Sequence, residues 1–252
     1  MRLLDTLDVL KLYRGDDFAI GPSITLSQPA LGQICDYGEQ KYYGMIHTLC
    51  SSGADLKWQL DDIGIDYTKI SDYELFYSFL APRFTAADTE ILFGGTLDFS
   101  RMKLTRNQNT GETVMLQIPE DGTAILIDRY IYTLLAAVLR KMHGIKRNDE
   151  MPGNEATKAI LIEDARDAYE ESKKTPCQSI LLPQISALVN SEGFKHDEQD
   201  VFNMKIYAFT DSVRRISKIK SADRLLQSGY SGFGINLKDI DKKELNWMGD
   251  LD

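Results

Sequence analysis

Reactive side chains in this sequence fall into small, separated groups. His47 and Cys50 stand three residues apart, on one face of any helix that contains them. A histidine beside a cysteine is the pairing that generates a thiolate nucleophile. The plainer reading is a helix-end histidine next to a buried cysteine. His143 and His196 lie far from it and from each other, with no partner at metal-ligand spacing. Asp61, Asp62 and Asp66, with Tyr67, form an acidic group. Hydrolytic chemistry there would need two carboxylates converging across a cleft, in environments that separate their pKa values. The spacing is not that of a calcium-binding EF-hand loop. A second acidic group, Glu163, Asp164, Asp167, Glu170 and Glu171, is interleaved with Lys158, Arg166, Lys173 and Lys174. That pattern reads as a solvated helix face with pairs such as Glu170 to Lys174. Gly229, Gly232 and Gly234 give GYSGFG. A dinucleotide loop must follow a strand and open a helix. Here a helix precedes, so a helix stop and a turn are expected. Arg14-Gly15-Asp16 reads as a turn. No catalytic residue, metal or cofactor is expected. The surviving enzymatic alternative is a dispersed site around Asp61, Asp62, Asp66 and Tyr67.

The elements that must carry these groups are mostly helical. Val9, Leu10, Leu12 and Tyr13 look like a short strand, the turn at residues 14–17 follows, and Ile24-Thr25-Leu26 resumes a strand, giving an N-terminal strand pair. Pro29 opens a helix through Leu31, Ile34 and Cys35. A second helix spans Glu39 to Cys50, with Tyr42, Tyr43, Ile46 and Leu49 on one face. A third covers Ala54 to Ile63, ended by Gly64. Ser71 with Glu74 three residues on is a capping box for a helix that Pro82 stops. Residues 97–118 alternate around Asn107–Gly111, a protruding β-hairpin, and Asp121-Gly122 ends its return strand. Ile127 to Met142 is strongly helical, with Arg140, Lys141 and His143 in the last turn. The polar stretch 144–154 reads as a linker. Helices then span 154–174 and 178–190, and a long one follows Gly193 and ends near Ser228. The predicted class is α+β, predominantly helical, with an N-terminal strand pair and a central β-hairpin. The predicted division is a mixed domain, 1–147, and a helical domain, 148–252, with an amphipathic tail, 229–252.

Within the second half, Lys205, Arg214, Arg215, Lys218, Lys220 and Arg224 make the one basic segment. With Tyr207 and Phe209 it could meet nucleic acid. Ile206, Phe209, Val213, Ile216 and Ile219 recur at helical spacing and favour a helix packed on one side and wet on the other. Its wet face is then a docking strip, with Arg214 and Arg215 at its centre. The tail carries Phe233, Leu237, Leu245, Trp247 and Met248, an apolar set on a stretch too short to bury itself. These seven residues are the expected partner-binding set. The competing reading of the tail is that it folds back on its own domain.

Composition narrows the partners. The chain has 252 residues, 43% hydrophobic and 27% charged, enough for a real core. At about 150 residues per domain it holds one or two. The net charge of -9 disfavours nucleic acid and anionic membranes as main partners. Three cysteines with no framework spacing favour a reducing compartment. Asp5 and Asp8 interrupt the N-terminal apolar run, so it does not read as a signal peptide, and no apolar stretch is long enough to span a membrane.

Two stretches carry a resemblance. Ile24–Leu49 with Leu60–Leu80 reads ITLSQPALGQICDYGEQKYYGMIHTL and LDDIGIDYTKISDYELFYSFL. Ala222–Leu251 reads ADRLLQSGYSGFGINLKDIDKKELNWMGDL. The Q-P step, the paired tyrosines, the G-I-D-Y turn and the D-x-E-L-F helix start resemble tail-morphogenesis proteins of phages and prophages of Gram-positive bacteria. The G-x-Y-S-G and L-x-W-M segments are similar to the endings of those proteins. The sequence departs from the pattern at Asn236, where an aspartate is expected. The resemblance implies a non-enzymatic interaction protein of tail assembly, a chaperone or a structural accessory of tail or baseplate. Its partners would be other phage tail proteins or further copies of itself, and its location the host bacterial cytoplasm or the virion.

Overall fold

The first apolar segment is helical where a strand was expected. In the computed structural model, which describes residues 6–119, 122–231, 234 and 236–251, helix α1 spans Thr6–Arg14. A strand would send Leu10 and Leu12 to the same face. Here Leu12 is wholly buried while Leu10 is 61% exposed. Asp8 pairs with Lys11 one turn on, at 3.9 Å. The strand pair does form, one step later: β1 (Phe18–Gly21) runs antiparallel to β2 (Ile24–Leu26), with Phe18 opposite Leu26.

Helices α2 (Leu31–Tyr37) and α3 (Glu39–Cys50) meet at Gly38, whose φ of 100° lies in the region that favours glycine. A 3-10 turn at Gly53–Leu56 leads into α4 (Lys57–Asp62). Next comes α5 (Asp72–Leu75), capped by Ser71 Oγ accepting from the Glu74 N–H at 3.2 Å. The chain continues past it as a π turn, Phe76–Leu80, and a 3-10 turn, Ala81–Arg83, so Pro82 sits inside the last turn. Helix α6 (Ala86–Phe93) follows. The central hairpin is β3 (Lys103–Arg106) with β4 (Thr113–Gln117), and β5 (Ile125–Ile127) extends it into a three-stranded antiparallel sheet. Asp121, placed at the end of the return strand, lies outside the described residues.

Helix α7 (Arg129–His143) begins at Asp128, whose carboxylate accepts from the Ile131 N–H, and ends at Gly144. Helices α8 (Glu155–Ser172) and α9 (Leu181–Val189) come next. The single long helix expected after Gly193 is two: α10 (Glu198–Asn203) and α11 (Ile206–Tyr230). The break has a tertiary cause. Lys205 is drawn into an extended bridge with Ala30, flanked by Leu31 N–H to Met204 O and Ile206 N–H to Pro29 O, both 3.0 Å. Helix α12 (Lys242–Leu245) is the last helix among the described residues.

The chain is therefore mostly helical α+β, with two small antiparallel sheets among the described residues. No described helix is long and apolar enough to cross a membrane. One buried cluster joins Leu12, Ile46 and Leu49 to Val138 and Leu139 of α7 and to Ile206 and Phe209 of α11. Its members thus stand on both sides of residue 147. A smaller cluster under α4 and α8 holds Leu60, Tyr67, Leu75 and Ile162. The 144–154 connection is stitched to the first half. Arg147 grips Asp72 through two bonds at 2.7 and 2.9 Å, Asn148 bonds Asp55, and buried Lys57 pairs with Glu150.

Candidate functional site

The structure separates the residues that looked chemical. Cys50, the last residue of α3, is buried, and burial pushes its thiol up to about 12. It stays protonated at neutral pH, and His47 is exposed. The pair supplies no thiolate. Asp61, Asp62 and Asp66 face the basic side chains of α8 instead of a cleft. Arg166 bonds Asp62 at 2.8 Å and lies 3.9 Å from Asp61. Lys158 pairs with Asp66 at 2.9 Å. That ammonium, with Thr68 and Lys69, holds Asp66 well below the usual carboxylate range, which is the opposite of what a general acid needs. Tyr67 turns away into the smaller core cluster. Along α8 the surface pairs run Glu170–Lys173 and Glu171–Lys174, one residue shorter than the expected Glu170–Lys174 spacing. No group of three or more His, Cys, Asp or Glu gathers at metal-binding range among the described residues.

The other candidate residues do come together, on α11. Ile206 and Phe209 are buried, and Val213 and Ile216 pack on the core from the same face. That arrangement turns Arg214, Arg215 and Lys218 to a shared outer face, and the C-terminal segment lies across it, while Lys205 donates to Gln28 O and Lys220 to Ser191 Oγ. Arg214 donates to the Leu251 carbonyl, Arg215 donates to the carbonyls of Trp247 and Gly249, and Lys218 Nζ donates to Asp250 O at 2.5 Å. Three cations of one helix thus hold four main-chain oxygens of the strap 247–251. Charge-assisted bonds of this kind are the stronger hydrogen bonds. They read the backbone and ignore side-chain identity.

Further back, Leu237 seats on Gly229. A Cβ at Gly229 would meet Leu237 Cγ at 2.2 Å, so this glycine leaves room for a contact, while α11 itself runs on to Tyr230. Leu245 is half-buried. Trp247 and Met248 are 44% and 72% exposed, although the backbone between and beside them is clamped. Phe233 lies outside the described residues. The strap ends at a hollow of about 450 Å3 between α1 and α11, lined by Val9, Leu10, Tyr13, Tyr207 and Leu251. Tyr13 and Tyr207 meet edge-to-face, 6.3 Å between ring centres.

Leu10 and Tyr13 are exposed apolar residues of this surface that the sequence reading missed. The available signal was the i,i+3 placement of Val9 and Leu12 with Asp8 and Lys11, a helical period hidden by the short segment. The bonds to Trp247–Leu251 had no signal at all, because a carbonyl carries no sequence mark.

Residues 173–252, which contain α9 to α12 and the strap, match the family model described as the YomV second domain, a phage-derived family. No curated protein and no solved structure matches the chain.

Proposed function

We propose that this is a phage protein that works by contact with other proteins in tail assembly, as a chaperone or a structural accessory, in the host cytoplasm or the virion. The C-terminal strap on α11 is its contact element. One observation carries this reading: the strap is held through its main chain, so Trp247 and Met248 are fixed in place yet left open. Exposed aromatic and methionine side chains on an ordered backbone are the usual anchors of a protein interface. Ordering them in advance lowers the entropy lost on binding. The phage-derived match over the same residues points to the setting. The basic face of α11 is already engaged by strap carbonyls, which favours protein contact over a phosphate backbone.

The test is co-elution of the purified chain with purified products of the tail genes. A complex with one of them is expected, weakened about tenfold or more by Trp247→Ala with Met248→Ala. A strictly monomeric chain that joins none of them, or a complex indifferent to both substitutions, would contradict the proposal.

A further inference from the structure

The three-stranded sheet is unfinished at β3. Its order is β3-β4-β5, so β3 has a ladder on one side only, and all four of its residues are exposed. Every second residue of such an edge turns its N–H and C=O outward, where an added strand can pair with them. The register shows what is missing. Ile127, Met115 and Leu104 stand opposite one another in one row across the three strands. Ile127 and Met115 are buried to 1% exposure or less, whereas Leu104 is 53% exposed. The row keeps an apolar residue at its outer end, past the point where the core covers it. On the other face the row runs Leu126, Leu116 and Lys103, and Leu126 is exposed as well.

Charge selects what can finish the sheet. Of the cations around it, Arg101 pairs with Asp98 at 3.5 Å and Arg129 with Glu112 at 3.4 Å. Lys103 and Arg106 have no ion-pair partner among the described residues. The free edge therefore carries two uncompensated cations, on a chain whose net charge is -9. Charges of one sign on an edge keep like copies apart. A second copy's β3 laid antiparallel would set Lys103 against Arg106, and like charges directly opposite are destabilising. A carboxylate in the same place is attracted, and cross-strand pairs of opposite charge stabilise a sheet. The same two side chains thus exclude a second copy and admit an acidic strand.

We infer that β3 is a docking edge for an extended acidic segment of a partner protein, added antiparallel as a fourth strand. Main-chain bonds give such a strand its affinity, and the alternate side chains give it specificity. The register fixes the pattern. In chain order the segment carries a carboxylate opposite Arg106, a strand-forming residue opposite Thr105, a β-branched apolar residue opposite Leu104 and a carboxylate opposite Lys103. The apolar residue extends the row of Ile127, Met115 and Leu104. This edge is separate from the strap and adds a second, differently selective contact to it.

Fluorescence polarisation and hydrogen exchange of the full chain test it. The probe is a labelled, end-capped synthetic peptide holding two copies of Glu-Thr-Val-Glu. One control has the same composition in the order Glu-Glu-Glu-Glu-Thr-Thr-Val-Val, and another has lysine in place of each glutamate. The probe is expected to bind with a Kd of about 0.1 mM at low salt. It should slow exchange in the fragment covering residues 103–106 and leave 236–251 unchanged. Each control is expected to bind at least about tenfold more weakly. Lys103→Glu with Arg106→Glu changes exposed residues only and should fold as the parent does, by circular dichroism. It should reverse the preference, losing the acidic probe and binding the lysine peptide about tenfold better than the parent does. Leu104→Ser should weaken the acidic probe by about fivefold. Trp247→Ala with Met248→Ala should leave its binding unchanged, so that the edge and the strap fail separately. No binding of the probe, equal binding of the scrambled peptide, indifference to the charge reversal, or no slowing at 103–106 overturns the inference and leaves β3 a guarded edge only.

Discussion

The α3–α7 contact and the strap on α11 are two regions of one chain held by different forces. Between α3 and α7 the side chains do the holding. Tyr42, Ile46, Leu49, Val138 and Leu139 are all buried to 1% exposure or less. The Tyr42 hydroxyl bonds His143 Nε2 at 2.7 Å, and His143 Nδ1 bonds Leu139 O at 2.7 Å. The segment leading to the strap has no buried residue in its two short helical turns, Leu237–Asp239 and Lys242–Leu245, and the strap itself is fixed by cations on carbonyls. Apolar burial resists salt and makes the fold cooperative. Charged contacts near the surface are screened and can open one element at a time. The difference separates what maintains the fold from what is free to engage a partner.

Substitutions that strike the shared core should have the largest effect. Phe209 is 1% exposed and belongs to α11, yet it packs in the cluster that α3 and α7 also build. Phe209→Ala should cost about 3–5 kcal/mol. Urea unfolding followed by both tryptophan fluorescence and circular dichroism should show one earlier transition for the whole chain. Loss of the C-terminal half alone, with the first half unmoved, would break the contrast drawn here.

Acid should come next, and it should act on the core. Burial pushes His143 down to about 4, with His47 opposing its charge and the Leu139 carbonyl favouring it, between the rings of Tyr42 and Tyr43. The imidazole must be neutral when folded, whereas the unfolded chain takes up its proton near pH 6.5. The resulting stability is full above about pH 6.5 and is lost as pH falls toward 4, by about 3 kcal/mol at most. Unfolding free energies measured between pH 7 and 4 should fall more for the parent than for His143→Gln. Equal slopes would remove the histidine from the account.

The smallest effect belongs to the solvated face of α8. Glu171 and Lys174 pair at 2.8 Å, but both are more than 70% exposed. Glu171→Ala should move the melting temperature by about 1 °C or less, as measured by calorimetry. A larger shift would mean that this face is covered by something.

How far the sequence was readable follows the same division. Helices α3 and α7 announced themselves through a long apolar period, and α7 also through its basic last turn before Gly144, all local signals; its start at Asp128 was not read. The hairpin was legible from turn chemistry, although β5 was too short to be noticed; of the strand pair only β2 was placed, because the turn at 14–17 ends α1 and does not join the two strands. Helix α1 failed because nine residues give barely two periods in which to tell a helix from a strand. The break at Lys205 failed because its cause, Ala30, lies far away in the chain. For the candidate surface, the apolar stripe of α11 and the tail's Trp247 and Met248 were visible as residue types. Their relation was not, since Arg214, Arg215 and Lys218 bind main-chain oxygens that look alike at every position.

Hydrogen exchange read by mass spectrometry, on peptides covering residues 236–251 and α7 in the parent and in Arg215→Ala at low and high salt, addresses the central point most directly. The strap should exchange faster with added salt and faster still in Arg215→Ala, while α7 stays protected in every condition. A strap as protected as α7 and deaf to both salt and Arg215→Ala would show that the core holds it, and that the cations of α11 do not fix Trp247 and Met248 in place.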